Sequence, residues 1–437
     1  MDPLTVGIIS VAVLMAAILL GFHIGISLAT VSVLGIWVIS GSFHTALNLL
    51  ATTSYSAIMD YVFGVLPMFI LMSSLANVSG ASQELYDAAN LIFARVRGGL
   101  GITTVIANAI FAAITGVSVA SAAVFSKIAV PEMSRLGYNR SLALGTVAGS
   151  SVLGMLIPPS ALMIIYGILT EEAIGRLFIA GIIPGLVLAG IYCIGIYLMV
   201  LIKPTLGGQR PETKKLGWNG LFKVILTPWA VIILVGLVLG GIYGGFFTPT
   251  EAGAVGAFGA LLLALVKRRL TVKILWHTLM ETGYVTASIF LLLISAQMYS
   301  RMLAISGLAA KSSEFITSLP LPPIAIVAMF VLVFLVLGCI LDSTSILLIT
   351  IPLMMPVLKA LGYNMIWFAV VAVIAVEMGL LTPPFGMVVF AMKAVLVEEV
   401  TIEEIFRGSF PFLIMMLLAL IVVIAFPPLS TWLPSLM

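Results

Sequence analysis

Gly149–Ser160 reads GSSVLGMLIPPS, and Glu377–Gly386 reads EMGLLTPPFG. Each sets a proline pair inside an apolar segment, with a glycine four residues before it: Gly154 before Pro158-Pro159, Gly379 before Pro383-Pro384. A proline pair removes backbone donors and frees the carbonyls upstream. Within a bilayer such backbone persists only when buried in protein or lining a cavity. The two pairs lie 225 residues apart. At the same offset Gly154 meets Gly379, Pro131 meets Pro356, and Leu136-Gly137-Tyr138-Asn139 recurs as Leu361-Gly362-Tyr363-Asn364. Gly116 and Gly338 fall near matching positions, three residues out of step. The chain is an internal repeat with a broken helix in each half.

Composition fixes the medium. Of 437 residues 62% are hydrophobic and 8% charged, against about 25% charged in soluble proteins. Pro3–Met59, Gly98–Ser126 and Ser141–Thr170 contain no Asp, Glu, Lys or Arg, nor do 177–202, 224–250, 315–341 and 408–437. A bilayer core of about 30 Å takes roughly 20 apolar residues as helix. The fold class is therefore an all-α polytopic membrane protein. The ~10-residue alternating segments of a membrane β-barrel are absent. Cys193 and Cys339 both sit in apolar stretches and read as small buried hydrophobes. His23, His44 and His277 are too dispersed for a zinc or haem centre. No basic region precedes the first apolar run, so no cleaved signal peptide is expected.

Five regions are expected. Residues 1–98 hold N-terminal scaffold helices (spans near 4–20, 22–40 and 58–78) and an amphipathic arm. Residues 99–202 form a first repeat: a hairpin bent at Thr115–Ser118, the segment broken at Pro158-Pro159, and a further span. Residues 203–223 are a polar linker. Residues 224–320 repeat the scaffold (224–242, 250–266, 280–300) and arm. Residues 321–437 form the second repeat: a hairpin bent near Gly338–Ser345, the segment broken at Pro383-Pro384, and a last span. If both hairpins are re-entrant and the linker lies inside, 15 of the 20 Lys and Arg fall inside, Arg210, Lys214, Lys215 and Lys223 among them. Only Arg176, Lys311 and Lys359 fall outside, which satisfies the positive-inside rule. This topology makes the repeats inverted and puts both termini outside. Inverted repeats with paired breaks point to a secondary transporter with its site at the midplane.

The chemistry of the breaks suits that reading. Freed carbonyls are hard oxygen ligands for a small cation such as Na⁺. The hairpin tips are small and polar: Gly116, Ser118 and Ser121 in one, Gly338, Asp342, Ser343, Thr344 and Ser345 in the other. Half-helix N-termini there offer free N–H groups to an anion. An anionic substrate is therefore expected against Ser118 and Pro159 from the first repeat and Ser343 and Pro384 from the second. Asp342 either joins a cation shell or caps the half-helix that follows it. Arg301, after a long uncharged run, either meets a substrate carboxylate, snorkels, or pairs with Asp60, Glu251 or Glu281. Glu377 reads as structurally paired or locally hydrogen-bonded. Glu398, Glu399, Glu403 and Glu404 read as solvated connector charges.

The run Phe247–Ala257 (FTPTEAGAVGA) resembles the TPTEA signature of the large membrane subunit of tripartite ATP-independent periplasmic (TRAP) transporters. GSSVLGMLIPPS, LFIAGIIPGL (Leu177–Leu186) and EMGLLTPPFG resemble the same subunit, so that the resemblance covers essentially the whole chain. It implies an inverted-repeat, elevator-type importer of the ion-transporter superfamily in the bacterial inner membrane. It implies Na⁺ as coupling ion and an organic acid, such as a C4-dicarboxylate or a sialic acid, as substrate. Two partners are implied: a periplasmic substrate-binding protein and a small four-helix membrane subunit, expected as a separate chain because this one opens on the first large-subunit span. Sodium ligands are implied at Gly116, Ser118, Ser121 and Ser150 to Gly154 in one half. In the other they are Gly338, Asp342, Thr344, Gly379 and Thr382. Thr382 stands where the first repeat has Ile157, so the two ion positions are expected to differ.

The alternative is a single-component anion exchanger or channel that needs no binding protein. An intramembrane protease would require a pair such as Asp60 and Asp342, and no flanking sequence supports one. An ATP-driven pump is excluded for this chain, which lacks a G-x-x-x-x-G-K-[ST] loop. Nothing in the sequence points to nucleic acid.

Overall fold

The 225-residue offset runs through nearly the whole molecule. A computed structural model describes residues 2–59, 61–93, 95–209, 224, 226–396 and 400–437. Asp60, Arg210, Lys214, Lys215, Lys223, Glu398 and Glu399, named above, lie outside the described residues. Helices Pro3–Leu19 and Ile24–Ser40 correspond to Trp229–Tyr243 and Pro249–Val266. The second hairpin arms, Ser118–Arg135 and Ser343–Ala360, begin and end at matching positions. Both recurring Leu-Gly-Tyr-Asn stretches stop one helix and start the next. Gly137 and Gly362 take φ of +73° and +72°, which favours glycine. Tyr138 N–H and Tyr363 N–H each donate to a carbonyl five residues back, at 3.0 Å. Asn139 and Asn364 then cap the broken helices with their side chains.

One helix escaped the sequence reading. Phe43–Met59 is helical, followed by a 3-10 turn at Tyr61–Gly64 and helix Val65–Val78. The apolar span expected at 58–78 is only the latter part. Thr52, Ser54 and other hydroxyls lower the hydropathy of the earlier helix. In the structure they donate to carbonyls one turn back (Thr52 to Asn48 at 2.9 Å, Ser54 to Leu50 at 2.8 Å). These three elements match a single 35-residue helix in the second half, Val272–Ser306, longer than the expected 280–300. Among the described residues seven helices are long and apolar enough to cross a membrane.

The scaffold helices are exchanged between halves. Ile24–Ser40 packs along Val272–Ser306, and Pro249–Val266 packs along Val65–Val78. Small residues permit it: a Cβ on Gly253 would lie 2.9 Å from Met68, and one on Gly35 would lie 3.1 Å from Met302. The arms Ala81–Phe93 and Leu308–Ser318 each lead from scaffold to hairpin. In the first, Glu84 is tied to Lys267 of the scaffold at 2.6 Å. Hairpins and broken helices pack against one another. Met365–Gly379 lies at the centre of this packing, buried on nearly all sides, which accounts for its lack of a polar stripe. The start of the linker folds back on the first Leu-Gly-Tyr-Asn turn, where Gln209 N–H donates to Leu136 at 2.7 Å.

Candidate functional site

In the first repeat the hairpin arms Gly99–Thr115 and Ser118–Arg135 meet in a two-residue turn at Gly116-Val117. Gly116 has φ +62°, and the Pro159 carbonyl occupies the space its Cβ would take. Its own carbonyl accepts from Ala161 N–H at 3.1 Å, across the break. Gly154 faces Val117 and Ser118, where an added Cβ would lie 3.2–3.3 Å from backbone. Gly116, Ser118, Gly154 and Pro159 therefore come together as expected. Ser121 pairs with Thr115 at 3.3 Å. Ser150 accepts from Asn108 Nδ2 at 2.6 Å. Asn108 was not foreseen; the signal was a lone carboxamide in an otherwise apolar hairpin arm. Ser160 was quoted only within a motif. Its hydroxyl donates to the Met155 carbonyl released by the break, and its oxygen caps the helix Ala161–Thr170.

The second repeat is built differently. Helix Pro323–Gly338 stops early, so the turn runs over four residues, Cys339–Asp342. This explains the three-residue slip between Gly116 and Gly338. Gly338 is not the turn; it is where the hairpin meets the broken helix. A Cβ on Gly338 or Gly379 would lie 2.5–2.6 Å from the Cα of the other. Asp342 takes the capping role: Oδ2 accepts from Ser345 N–H at 3.0 Å, and Oδ1 accepts from the Ser345 hydroxyl. Thr344 is half-buried. Thr382 donates its hydroxyl to Met378 O at 2.8 Å, leaving its oxygen lone pairs open. Pro384 is exposed, away from the packed core that holds Pro159.

The two tips share one carboxylate. Glu377 is 0% exposed, two residues before Gly379. Its Oε1 accepts from Ser343 Oγ at 3.3 Å. Ser118 Oγ lies against the same carboxylate. Ser118 and Ser343 are repeat mates and each is the first residue of its half-helix. Tyr192 is wholly buried on helix Ile174–Ile202, and its hydroxyl has no partner. Sequence placed Glu377 beside the break but gave no hint that residues 118 and 343 converge on it.

Two cavities lie beside helix Val272–Ser306. One, of about 450 Å³, is lined by Thr115, Ala120 and Val124 of the first hairpin and by Lys273, His277 and Glu281. The other, of about 910 Å³, is lined by Glu171, Glu172, Arg176, Thr248, Gln297 and Arg301. Lys273 and Arg301 are 28 residues apart on one helix, about 42 Å along its axis. The cavities therefore sit at opposite ends of the molecule. Arg301 does not reach the tips: none of them lines its cavity. Nor does it pair with Glu251 or Glu281. Its Nη1 donates to Thr53 Oγ1 at 2.8 Å. Glu251 is spent on a capping box with Thr248, accepting from Thr248 N–H at 2.8 Å, and Glu281 faces His277 at 4.0 Å. Thr248-Pro249-Thr250-Glu251 is thus a helix start. Thr401 and Glu404 make a second such box, so Glu404 is a cap and not a free connector charge; it also lies 3.7 Å from Arg140.

Residues 11–429 match the family described as the tripartite ATP-independent periplasmic transporter, DctM component. The C4-dicarboxylate TRAP transporter large permease protein DctM of Pseudomonas aeruginosa is 32% identical over 88% of this chain and 89% of its own length. The 2,3-diketo-L-gulonate TRAP transporter large permease protein YiaN of Escherichia coli is 31% identical, over 87% and 88%. In fold, the chain resembles the crystal structure of the YdaH transporter of Alcanivorax borkumensis, with a TM-score of 0.60, 18% identity and 89% of each chain covered. These relatives are transporter permeases, which rules out the intramembrane-protease reading. From its first scaffold helix to its last span, the chain belongs to the DctM family of TRAP transporter large membrane subunits.

Proposed function

We propose that the chain is the large subunit of a Na⁺-coupled importer of an organic acid, working by an elevator movement in the bacterial inner membrane with both termini periplasmic. The observation that carries this is the convergence of both hairpin tips on the broken helices, between a scaffold and two cavities at opposite ends. Hairpins and broken helices are the moving body; the exchanged scaffold helices are the fixed one. The arms Ala81–Phe93 and Leu308–Ser318 are the links. Hydroxyl, carboxylate and carbonyl oxygens gathered at the tips supply a site for Na⁺. Relatives named for C4-dicarboxylate and 2,3-diketo-L-gulonate support a carboxylate substrate. The partners are a periplasmic binding protein that delivers it and a small membrane subunit in a separate chain. Relatives matched along nearly their whole length bear the name large permease, which supports that separation.

Proteoliposomes holding this chain and its small subunit, with binding protein outside, test the reading. Uptake of a C4-dicarboxylate should require both an inward Na⁺ gradient and the binding protein. Uptake indifferent to both would favour the single-component exchanger or channel.

A further inference from the structure

We propose that the cavity of about 910 Å³ beside Arg301 is a receiving site for a carboxylate, where an organic acid arriving from outside is held before it reaches the hairpin tips. The proposal rests on the importer reading and adds an anion position remote from the tips, none of which lines this cavity.

Three positive elements meet on its walls. The first is Arg301, which closes the uncharged stretch 282–300. An arginine so placed is expensive unless it is paired, and it marks a ligand path. Among the described residues no carboxylate lies within salt-bridge reach of Arg301 or Arg176. A neutral group anchors Arg301 instead: Nη1 donates to Oγ1 of the wholly buried Thr53 at 2.8 Å. That bond fixes the guanidinium plane and leaves the fork further N–H donors for a carboxylate. Gln297, one turn back on the same helix, lines the cavity too. The second element is Arg176, which lines the cavity from the first repeat. The third is the start of its helix, Ile174–Ile202, whose dipole and free N–H groups favour an anion. Ala173 gives that helix no side-chain cap, and Ala173, Ile174 and Gly175 all border the same cavity.

The other walls suit passage more than storage. Glu171 and Glu172 line the cavity and oppose an anion there, which keeps the hold weak. Phe247-Thr248-Pro249-Thr250 forms another wall, kept in place by the capping box of Thr248 and Glu251. This segment therefore does more than start a helix: it shapes the cavity. In the topology proposed above, Arg301 marks the outer end of Val272–Ser306 and Lys273 the inner end. A solute entering from outside meets this site first.

The test is alkylation of a thiol at the site, Gln297→Cys, with Cys193 and Cys339 replaced by alanine. The full chain with its small subunit is held in nanodiscs without Na⁺, which separates the site from Na⁺-dependent binding at the tips. Succinate should slow the reaction with a neutral maleimide about fivefold. Succinamide, its uncharged diamide, should not slow it. Protection should vanish with Arg301→Gln and weaken about threefold with Arg176→Gln. Uptake gives a second readout. Arg301→Lys keeps the charge but not the fork, and should raise the KM about tenfold while the half-saturating Na⁺ concentration stays in place. It carries the test if Gln297→Cys does not fold. Equal protection by succinamide, protection that survives Arg301→Gln, or a wild-type KM in Arg301→Lys overturns the proposal and leaves the importer standing. Protection by succinate without any Na⁺-driven uptake supports the carboxylate site and overturns the importer reading.

Discussion

The two Pro-Pro breaks share their offset, their preceding glycine and a cis peptide bond, yet they are covered differently. Pro158, Pro159 and Ser160 are buried. Leu66, Phe69 and Ile70 of the scaffold border the first tip, and the Gly116 turn folds over the break. Pro383 and Pro384 are exposed, and Phe385, the repeat mate of Ser160, is 55% exposed. The cause is a difference in turn length. A two-residue turn brings the first tip over the break itself. The four-residue turn Cys339–Asp342 docks the second hairpin a step earlier, at Gly379. The same backbone device thus serves once as a sealed joint and once as an open surface. At the first break the Met155 carbonyl, which Pro159 cannot serve, accepts from the Ser160 hydroxyl; at the second the Thr382 hydroxyl donates to Met378 O.

The contrast can be broken or sharpened by measurement. The largest effect is expected at the closest approach. Gly379→Ala should cost about 3 kcal/mol of stability and Gly154→Ala about 1 kcal/mol, because the first methyl meets backbone at 2.5 Å and the second at 3.2 Å. Thermal unfolding in detergent compares them, and equal losses would mean that the two hairpins dock alike. Next comes accessibility. A thiol at Phe385→Cys should react with a membrane-impermeant maleimide about thirtyfold faster than one at Ser160→Cys, since reaction follows exposure. Similar rates would unseal the first break. Under the proposed Na⁺ coupling, Thr382→Val should raise the Na⁺ concentration for half-maximal uptake about tenfold, while Ile157→Val leaves it in place. A Thr382→Val transporter with wild-type Na⁺ dependence would remove the second break from ion binding. The smallest effect belongs to the caps. Asp342→Ala should lower stability by about 1 kcal/mol. Val117, the repeat mate of Asp342, makes no side-chain cap, so any loss in Val117→Ala comes from packing alone.

Much of this plan was legible because the offset is a property of sequence. It placed the stop-and-start turns at Gly137 and Gly362, the glycines opposite the hairpins, and the segments on either side of each break. Extending it would also have found Phe43–Met59, whose mate is the beginning of Val272–Ser306. Hydropathy hid that helix because its serines and threonines satisfy themselves internally. What no local reading could supply is convergence. Residues 118, 343 and 377 meet only after the halves have packed. Arg301 is open to several readings in sequence; in the structure it donates to Thr53 and lines an end cavity.

The exchange of scaffold helices bears on how the chain is made. Ile24–Ser40 packs on residues roughly 265 positions later, in Val272–Ser306, as Gly25 does on Leu291 and Gly35 on Met302. At roughly 5–20 residues per second of synthesis, the first half waits about 10–50 s for the second. During that interval lipid must cover the face that protein later covers. The polypeptide therefore matures as one unit late in translation, and an amino-terminal half released early would leave the membrane holding an unfinished surface.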